Sequence, residues 1–589
     1  MKELLRERFH QVWCVDFEYQ ELNGNNPVVH CMVARELLTG RLIRQWLSGE
    51  GGIRCPIPLG EDTLYVAYFA TAELKSHLAL GWPLPKNVLD LFVEFRCRTN
   101  GKSLPSGNGL LGALVYFGLS GIAYAEKEVM RELAIRGGPF SPRERHELVD
   151  YCQGDVEALT GLLPHLIEKL DLGQALLRGR YMKSAARMEY IGIPVDVETL
   201  EQVRANWDRI KEVLIRRVDA NYSVFEGNTF KVQRFAAYLQ RNRISWPKLA
   251  SGALDLKEDT FRQMARICVQ LSPLRELRHA LGQLRLNKIQ VGSDGRARTN
   301  LSPFRSRTSR NQPSTASYIF GSSVWLRGMI KPPPGMGVAY IDWSQQEFGI
   351  AAALSGDQAM QAAYYSGDPY LKFAKQAGLV PTHATKQSHP EERKLCKAAV
   401  LAVQYGMGPA SLAESINQPL PMGRELLENH RRTFPDFWKW SEDVVNHAML
   451  QLKLWTVFGW YIHLENQANT RSLQNFPMQA NGAEILRLAC CYMVEAGIRV
   501  CAPVHDAVLI EAPLETLDDQ IKQARGLMAK ASMDVLQGFK LATDVEIFRY
   551  PERYCDEDRG RAFWEMVMEE LDGLTKVRDK QTKQNCNGP

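Results

Sequence analysis

Two carboxylates and one row of side chains carry the chemistry this sequence can do. Asp342 closes the apolar run of "GVAYIDWSQQEFG", and Asp506 sits in the tight turn of "PVHDAVLIEA". Both runs read as adjacent strands, so the two carboxylates could share a pair of divalent ions. Carboxylate oxygens are natural ligands for Mg²⁺. Two such ions, about 3.5–4 Å apart, activate an attacking oxygen and steady a leaving one. Between these runs, "ERKLCKAAVLAVQYGMG" reads as a helix with Arg393, Lys397, Leu401 and Tyr405 on one face. Two cations at the start of that face suit a triphosphate, and the aromatic two turns on suits a base. A lone Asp at a strand end is more often a cap or turn residue, and Arg393 alone could pair with Glu391. The combination is what metal-assisted nucleotidyl transfer needs.

"DWSQQE", the R-x3-K-x7-YG row and "VHD" resemble motifs A, B and C of the family A DNA polymerases, the DNA polymerase I type. Further stretches fall in the same order. "TSRNQP" is similar to the family's Thr-Gly-Arg segment, and "WLRGMIKP" to its arginine before motif A, here Arg327. "TVFG" is similar to its Thr-x-x-Gly hairpin. Arg471, Asn475 and Gln479 reproduce its R-x3-N-x3-Q helix face. Each motif is weak alone; the ordered set, from about residue 10 to 550, is highly specific. The resemblance implies that Asp342 and Asp506 bind two Mg²⁺ (Mn²⁺ being an alternative), with the Trp343 carbonyl completing the ligand set. It implies that Arg393 and Lys397 hold the incoming deoxynucleoside triphosphate, and that Lys397 protonates the leaving pyrophosphate. Glu347 would exclude a ribose 2′-hydroxyl, with Gln345 and Tyr370 beside the nucleotide. Tyr405 and Gly406 would border the templating base. Arg310, Gln479 and His505 would read minor-groove acceptors at the primer end, with Arg327, Arg471 and Asn475 on nearby primer-template DNA. Four positions depart from the family: Leu401 for a ring, Tyr370 for a histidine, Ala507 for a glutamate and Gly349 for an arginine. None is a metal ligand, so slower or differently selective synthesis is expected rather than inactivity.

A second constellation lies near the N-terminus. "VDFE" puts Asp16 and Glu18 one residue apart on a strand, and "YCQGD" puts Tyr151 and Asp155 on one helix face. This pattern resembles the DEDD-type 3′–5′ exonucleases that precede the polymerase in this family. The resemblance implies two metals on the acids and an attacking water oriented by Tyr151. For the fourth acid, "FATAELKSHLALG" offers Glu73 and "NVLDLF" offers Asp90; Glu73 is favoured.

The elements that must position these residues follow from pattern. Residues 1–172 read as an α/β exonuclease domain, ribonuclease H-like by the resemblance. An α+β right-hand polymerase is expected after it. Its mainly helical thumb would span 173–305, its palm 306–354 and 471–572, and its fingers 355–470. The tail 573–589 lacks apolar residues and is expected to be disordered. "VGSDGRART" predicts a hairpin turn through Asp294-Gly295, and "LWTVFGWYIHL" two short strands around Gly459. Basic stretches at 275–288 and 296–310 are placed to follow a duplex backbone.

With 589 residues, 45% hydrophobic and 24% charged, the chain has room for several domains of ordinary globular composition. The net charge of +5 is compatible with a polyanionic partner. The twelve cysteines show no metal-finger spacing and read as reduced thiols. No signal core or membrane span is visible, so a monomer in the cytoplasm, the bacterial host's if phage-encoded, is expected. The chain begins almost at the exonuclease strand, so a bacteriophage-like polymerase without a 5′ nuclease domain is expected, serving DNA replication. Two other readings stay open: an exonuclease with a degenerate DNA-binding polymerase half, and a single-subunit RNA polymerase.

Overall fold

The computed structural model describes residues 5–49, 52–119, 124–249, 251–282, 286–404, 406–416, 418–464, 469–557 and 560–586. Strands β1 (Gln11–Gln20), β2 (Val28–Glu36), β3 (Leu42–Trp46), β4 (Thr63–Ala67) and β5 (Asn87–Asp90) form one sheet in the order β3-β2-β1-β4-β5. Pairings β1–β2 and β2–β3 are antiparallel, whereas β1–β4 and β4–β5 are parallel. The Val12–Val15 run of β1 is apolar because it is covered on both sides. Trp13, Val15 and Phe17 point into the large core shared with the C-terminal half. Val12 and Cys14 point into a smaller core beneath α3.

Helices framing this sheet include α1 (Thr71–Ala79), α2 (Leu91–Thr99), α3 (Pro142–Ile167) and α4 (Leu172–Ile191). α3 starts where the Ser-Pro signal predicts: Ser141 and Glu144 form a reciprocal capping box, with Pro142 in the first turn. The next region is mainly helical, with Val197–Asp219, Val232–Arg241, Glu258–Ile267 and Ser272–Gly282. The turn at Asp294-Gly295 closes as expected, with a bridge between Val291 and Ala297. The 275–288 basic stretch is partly used internally. Arg275 pairs with Glu258 and Glu276, and the Arg278 guanidinium lies 4.2 Å from the ring centroids of both Phe230 and Phe261. These two arginines hold their own helices together rather than standing open to a backbone.

The C-terminal half is built on β6 (Met336–Trp343), which enters after the proline cluster and leads into α5 (Gln346–Ser355). Helices α6 (Pro369–Gln376) and α7 (Pro390–Gln404) follow. A small hairpin, β7 (Lys453–Trp455) and β8 (Tyr461–His463), turns around Gly459 as predicted. The long α8 (Thr470–Glu495) is almost wholly buried and leads to β9 (Arg499–Val504), β10 (Ala507–Pro513) and β11 (Thr543–Arg549). Four strands pair antiparallel in the order β9-β10-β6-β11. The disordered tail is a correction: the final helix runs from Arg561 to Cys586, and only 587–589 lie outside the described residues. Phe563, Trp564, Val567 and Leu571 are buried at its start, and a packed first stretch lets a helix propagate into a polar sequence.

The hairpin locks the two halves together. Arg178 of α4 meets Glu94 of α2 through two 2.7 Å bonds, both residues buried, and its third nitrogen reaches the Phe458 carbonyl. Asn100 donates to the carbonyls of Arg307 and Tyr461 at 2.8 and 2.9 Å. Among the described residues, no helix is long and apolar enough to cross a membrane.

Candidate active sites

Asp342 lies opposite Ala507 in the β6–β10 pair, so Asp506, one residue earlier, stands at the same end of the sheet. The Trp343 amide donates to the Asp506 carbonyl at 3.0 Å and ties the two strand ends together. Burial pushes the Asp342 carboxyl up to about 6, with further lift from the Asp506 and Asp544 charges. Burial also raises Asp506, against the pull of His505 and Arg310. Two half-buried carboxylates, both lifted by burial, suit a divalent cation. Asp544, directly opposite Asp342 on β11, was not singled out from the sequence. It sits in the alternation of "TDVEIF", which reads equally as a solvated strand face.

The α7 row emerges as one face, with Tyr405 outside the described residues. Arg393 Nε donates to Asp368 at 2.5 Å. The Arg393 guanidinium and the Lys397 ammonium each lie 5.7 Å from the ring centroid of buried Tyr370. Leu401 is half-buried. Gly406 adopts φ +63°, and a Cβ there would lie 2.9 Å from Arg471 Cγ, so these two sequence-predicted residues are brought together. Asn475 and Gln479 follow Arg471 along α8, both half-buried. Arg310 Nη2 reaches Glu347 at 3.0 Å, in the first turn of α5. Gln345 and His505 take left-handed φ of +43° and +49°, a strained choice for non-glycine residues beside a site. Burial lowers the His505 pKa, as do the charges of Arg310 and Arg327. Arg327 itself is held by Asp556 at 3.3 Å. The glycine at 349 has a packing cause: a Cβ would lie 2.4 Å from Leu541 and 2.8 Å from the Tyr364 ring, leaving no room for an arginine.

In the N-terminal unit, ligand oxygens of Asp16, Glu18 and Asp155 all lie within 4.8 Å of one another. Glu73 is buried in the first turn of α1, and burial followed by the Asp16 charge holds its carboxyl well above the usual range. Its Oε2 has no hydrogen-bond partner. Asp90 is otherwise engaged. It caps α2, accepting from the amides of Phe69, Ala70, Phe92 and Val93 at 2.7–3.2 Å. Glu73 thus feels the Asp16 and Asp155 charges, while Asp90 serves as a helix cap. Burial, then Asp155 and Glu18, raise the Tyr151 hydroxyl above its ordinary pKa. The acids open into a cleft of about 710 Å³, lined by Phe69, Phe92, Arg96 and Arg305 among others. Phe69 adopts φ +68°, and Arg96 donates to the Arg305 carbonyl. Arg96 and the two phenylalanines were missed in the sequence because their elements contribute them singly.

Residues 313–547 match the sequence profile described as DNA polymerase family A. That stretch is similar to the family A DNA polymerases. The chain is similar to a DNA polymerase of Mycobacterium phage D29, 25% identical over 60% of this chain and 59% of that protein. Another is a thermostable DNA polymerase I of Thermus caldophilus, 24% identical over 69% of this chain and 49% of that protein. The chain thus spans about half the length of the curated relatives it matches. Its fold is similar to the POL domain of Pol1 from M. smegmatis, solved in complex with DNA primer-template and dNTP. The TM-score is 0.68 at 19% identity, over 92% of this chain and 96% of that one.

Proposed function

We propose that this protein is a DNA-templated DNA polymerase whose N-terminal unit is a 3′–5′ proofreading exonuclease. One observation carries the reading: within the family A domain, Asp342 and Asp506 stand at one end of paired strands, and Arg393 and Lys397 share one helix face. In this reading 306–354 and 471–572 are the palm, 355–470 the fingers and 173–305 the thumb. The strand order β3-β2-β1-β4-β5 supports a ribonuclease H-like editing unit in 1–172.

Asp342 and Asp506 would hold two Mg²⁺, and Asp16, Glu18, Asp155 and Glu73 another pair. Bound there, these ions would activate the attacking oxygen and stabilise the leaving one. The chain's own residues do the rest. Arg393 and Lys397 grip the triphosphate, while the primer 3′-hydroxyl loses its proton to solvent and its oxygen bonds to the α-phosphorus. The α–β P–O bond breaks, and pyrophosphate departs with a proton from Lys397, which solvent then reprotonates. Glu347, fixed by Arg310, blocks a 2′-hydroxyl and so selects deoxynucleotides. In the editing cleft, Phe69 and Phe92 offer stacking surfaces and Arg96 and Arg305 offer charge to a single strand.

Extension of a 5′-labelled primer-template with Mg²⁺ tests the reading. Asp506→Ala is expected to abolish extension and keep primer shortening; Asp16→Ala is expected to do the reverse. Shortening without extension in the intact protein would reduce the C-terminal half to a DNA-binding platform.

A further inference from the structure

We infer that Asp368 and Tyr370 are positioning residues that aim the two triphosphate-gripping cations of α7; this rests on the polymerase reading above. Asp368 has two tasks. One oxygen caps α6 by accepting from the Leu371 amide at 3.1 Å, and the other accepts from Arg393 Nε at 2.5 Å. The cap fixes the carboxylate to a helix backbone, and the carboxylate then fixes the guanidinium. Holding an arginine by Nε leaves its two terminal nitrogens, the fork that matches phosphate oxygens.

Tyr370 supplies the floor. Its buried ring stands 5.7 Å from the charged ends of both Arg393 and Lys397, so one ring restrains two cations a helical turn apart. The segment carrying both residues is itself stiff: Gly367 turns the chain at φ +82°, and Pro369 opens α6. The arrangement has an electrostatic cost. A carboxylate beside a triphosphate site repels the substrate, so Asp368 improves nucleotide binding only if orientation outweighs repulsion. The two effects have opposite signs in one variant.

Single-nucleotide incorporation on a primer-template is measured for the intact protein, Asp368→Asn, Tyr370→Leu and Tyr370→Phe. Asparagine caps a helix as well as aspartate does, so Asp368→Asn removes charge and keeps α6. The expected result is a KM for dNTP raised roughly tenfold, with primer-template affinity unchanged. Tyr370→Leu is expected to raise KM several-fold, and Tyr370→Phe to recover most of that loss. An unchanged or lower KM in Asp368→Asn makes the carboxylate a mere repulsive bystander and overturns the inference. A Phe variant as poor as Leu transfers the role from the ring to the hydroxyl and overturns the Tyr370 half. If the intact protein incorporates no nucleotide, the polymerase reading itself falls, an outcome distinct from either.

Discussion

At position 401 a leucine stands half-buried on the α7 face, where the family resemblance leads one to expect a ring. A ring there would offer a flat stacking surface to the incoming nucleotide, so Leu401→Phe is expected to raise kcat/KM for dNTP several-fold; kinetics matching the unmodified protein would remove Leu401 from the site. Asp342 makes a second demand at this scale. Its carboxyl is raised to about 6 from an ordinary 3.8, so its ionised form is disfavoured in the metal-free fold. That destabilisation is absent below about pH 3.8 and complete above about pH 6, because only then is the folded carboxyl ionised. Mg²⁺ relieves it. Thermal melts are therefore expected to show a larger stabilising increment from Mg²⁺ at pH 8 than at pH 5. Primer extension is expected to fall as pH drops through about 6, at a midpoint that moves down as Mg²⁺ rises, since protons and metal compete.

At the scale of elements, the proposed reading divides two buried acids: Glu73 of α1 for chemistry and Asp90, the cap of α2, for architecture. Glu73→Gln keeps shape and removes charge, so primer shortening is expected to be lost with the melting temperature held or raised. Asp90→Ala strips four amides of their acceptor and is expected to destabilise the fold by at least ~1–2 kcal/mol, read by urea unfolding. Sequence alone left the two acids open because both follow apolar strands; only the amide geometry separates them. The strands bearing Asp16 and Asp342, the α7 face and the β7–β8 hairpin were legible because period and order announce them. Asp544 was not, since register across β6–β11 is a long-range fact. Nor were the internal duties of Arg275 and Arg278, because a basic run looks the same whether it faces DNA or its own rings. The terminal helix escaped for a related reason: composition describes the polar stretch, and the buried turn before it decides its conformation.

Across the whole molecule, the buried Arg178–Glu94 pair joins the helix that leaves the N-terminal unit to a helix inside it. Arg178→Met would leave Glu94 buried without its partner and is expected to cost about 3–5 kcal/mol; adding Glu94→Leu is expected to recover most of that. Urea midpoints of the two variants check both. The same joint sets how this protein can be re-engineered. The β7–β8 hairpin leans on Asn100, Arg98 and Arg178, so part of its seat belongs to the N-terminal unit. Deleting residues 1–172 would remove Glu94, Arg98 and Asn100 and leave Arg178 and the hairpin without their partners. If the proposed activities hold, a version that copies without erasing is therefore better reached by changing one acid than by shortening the chain: the proposed eraser would be part of the scaffold on which the copier stands.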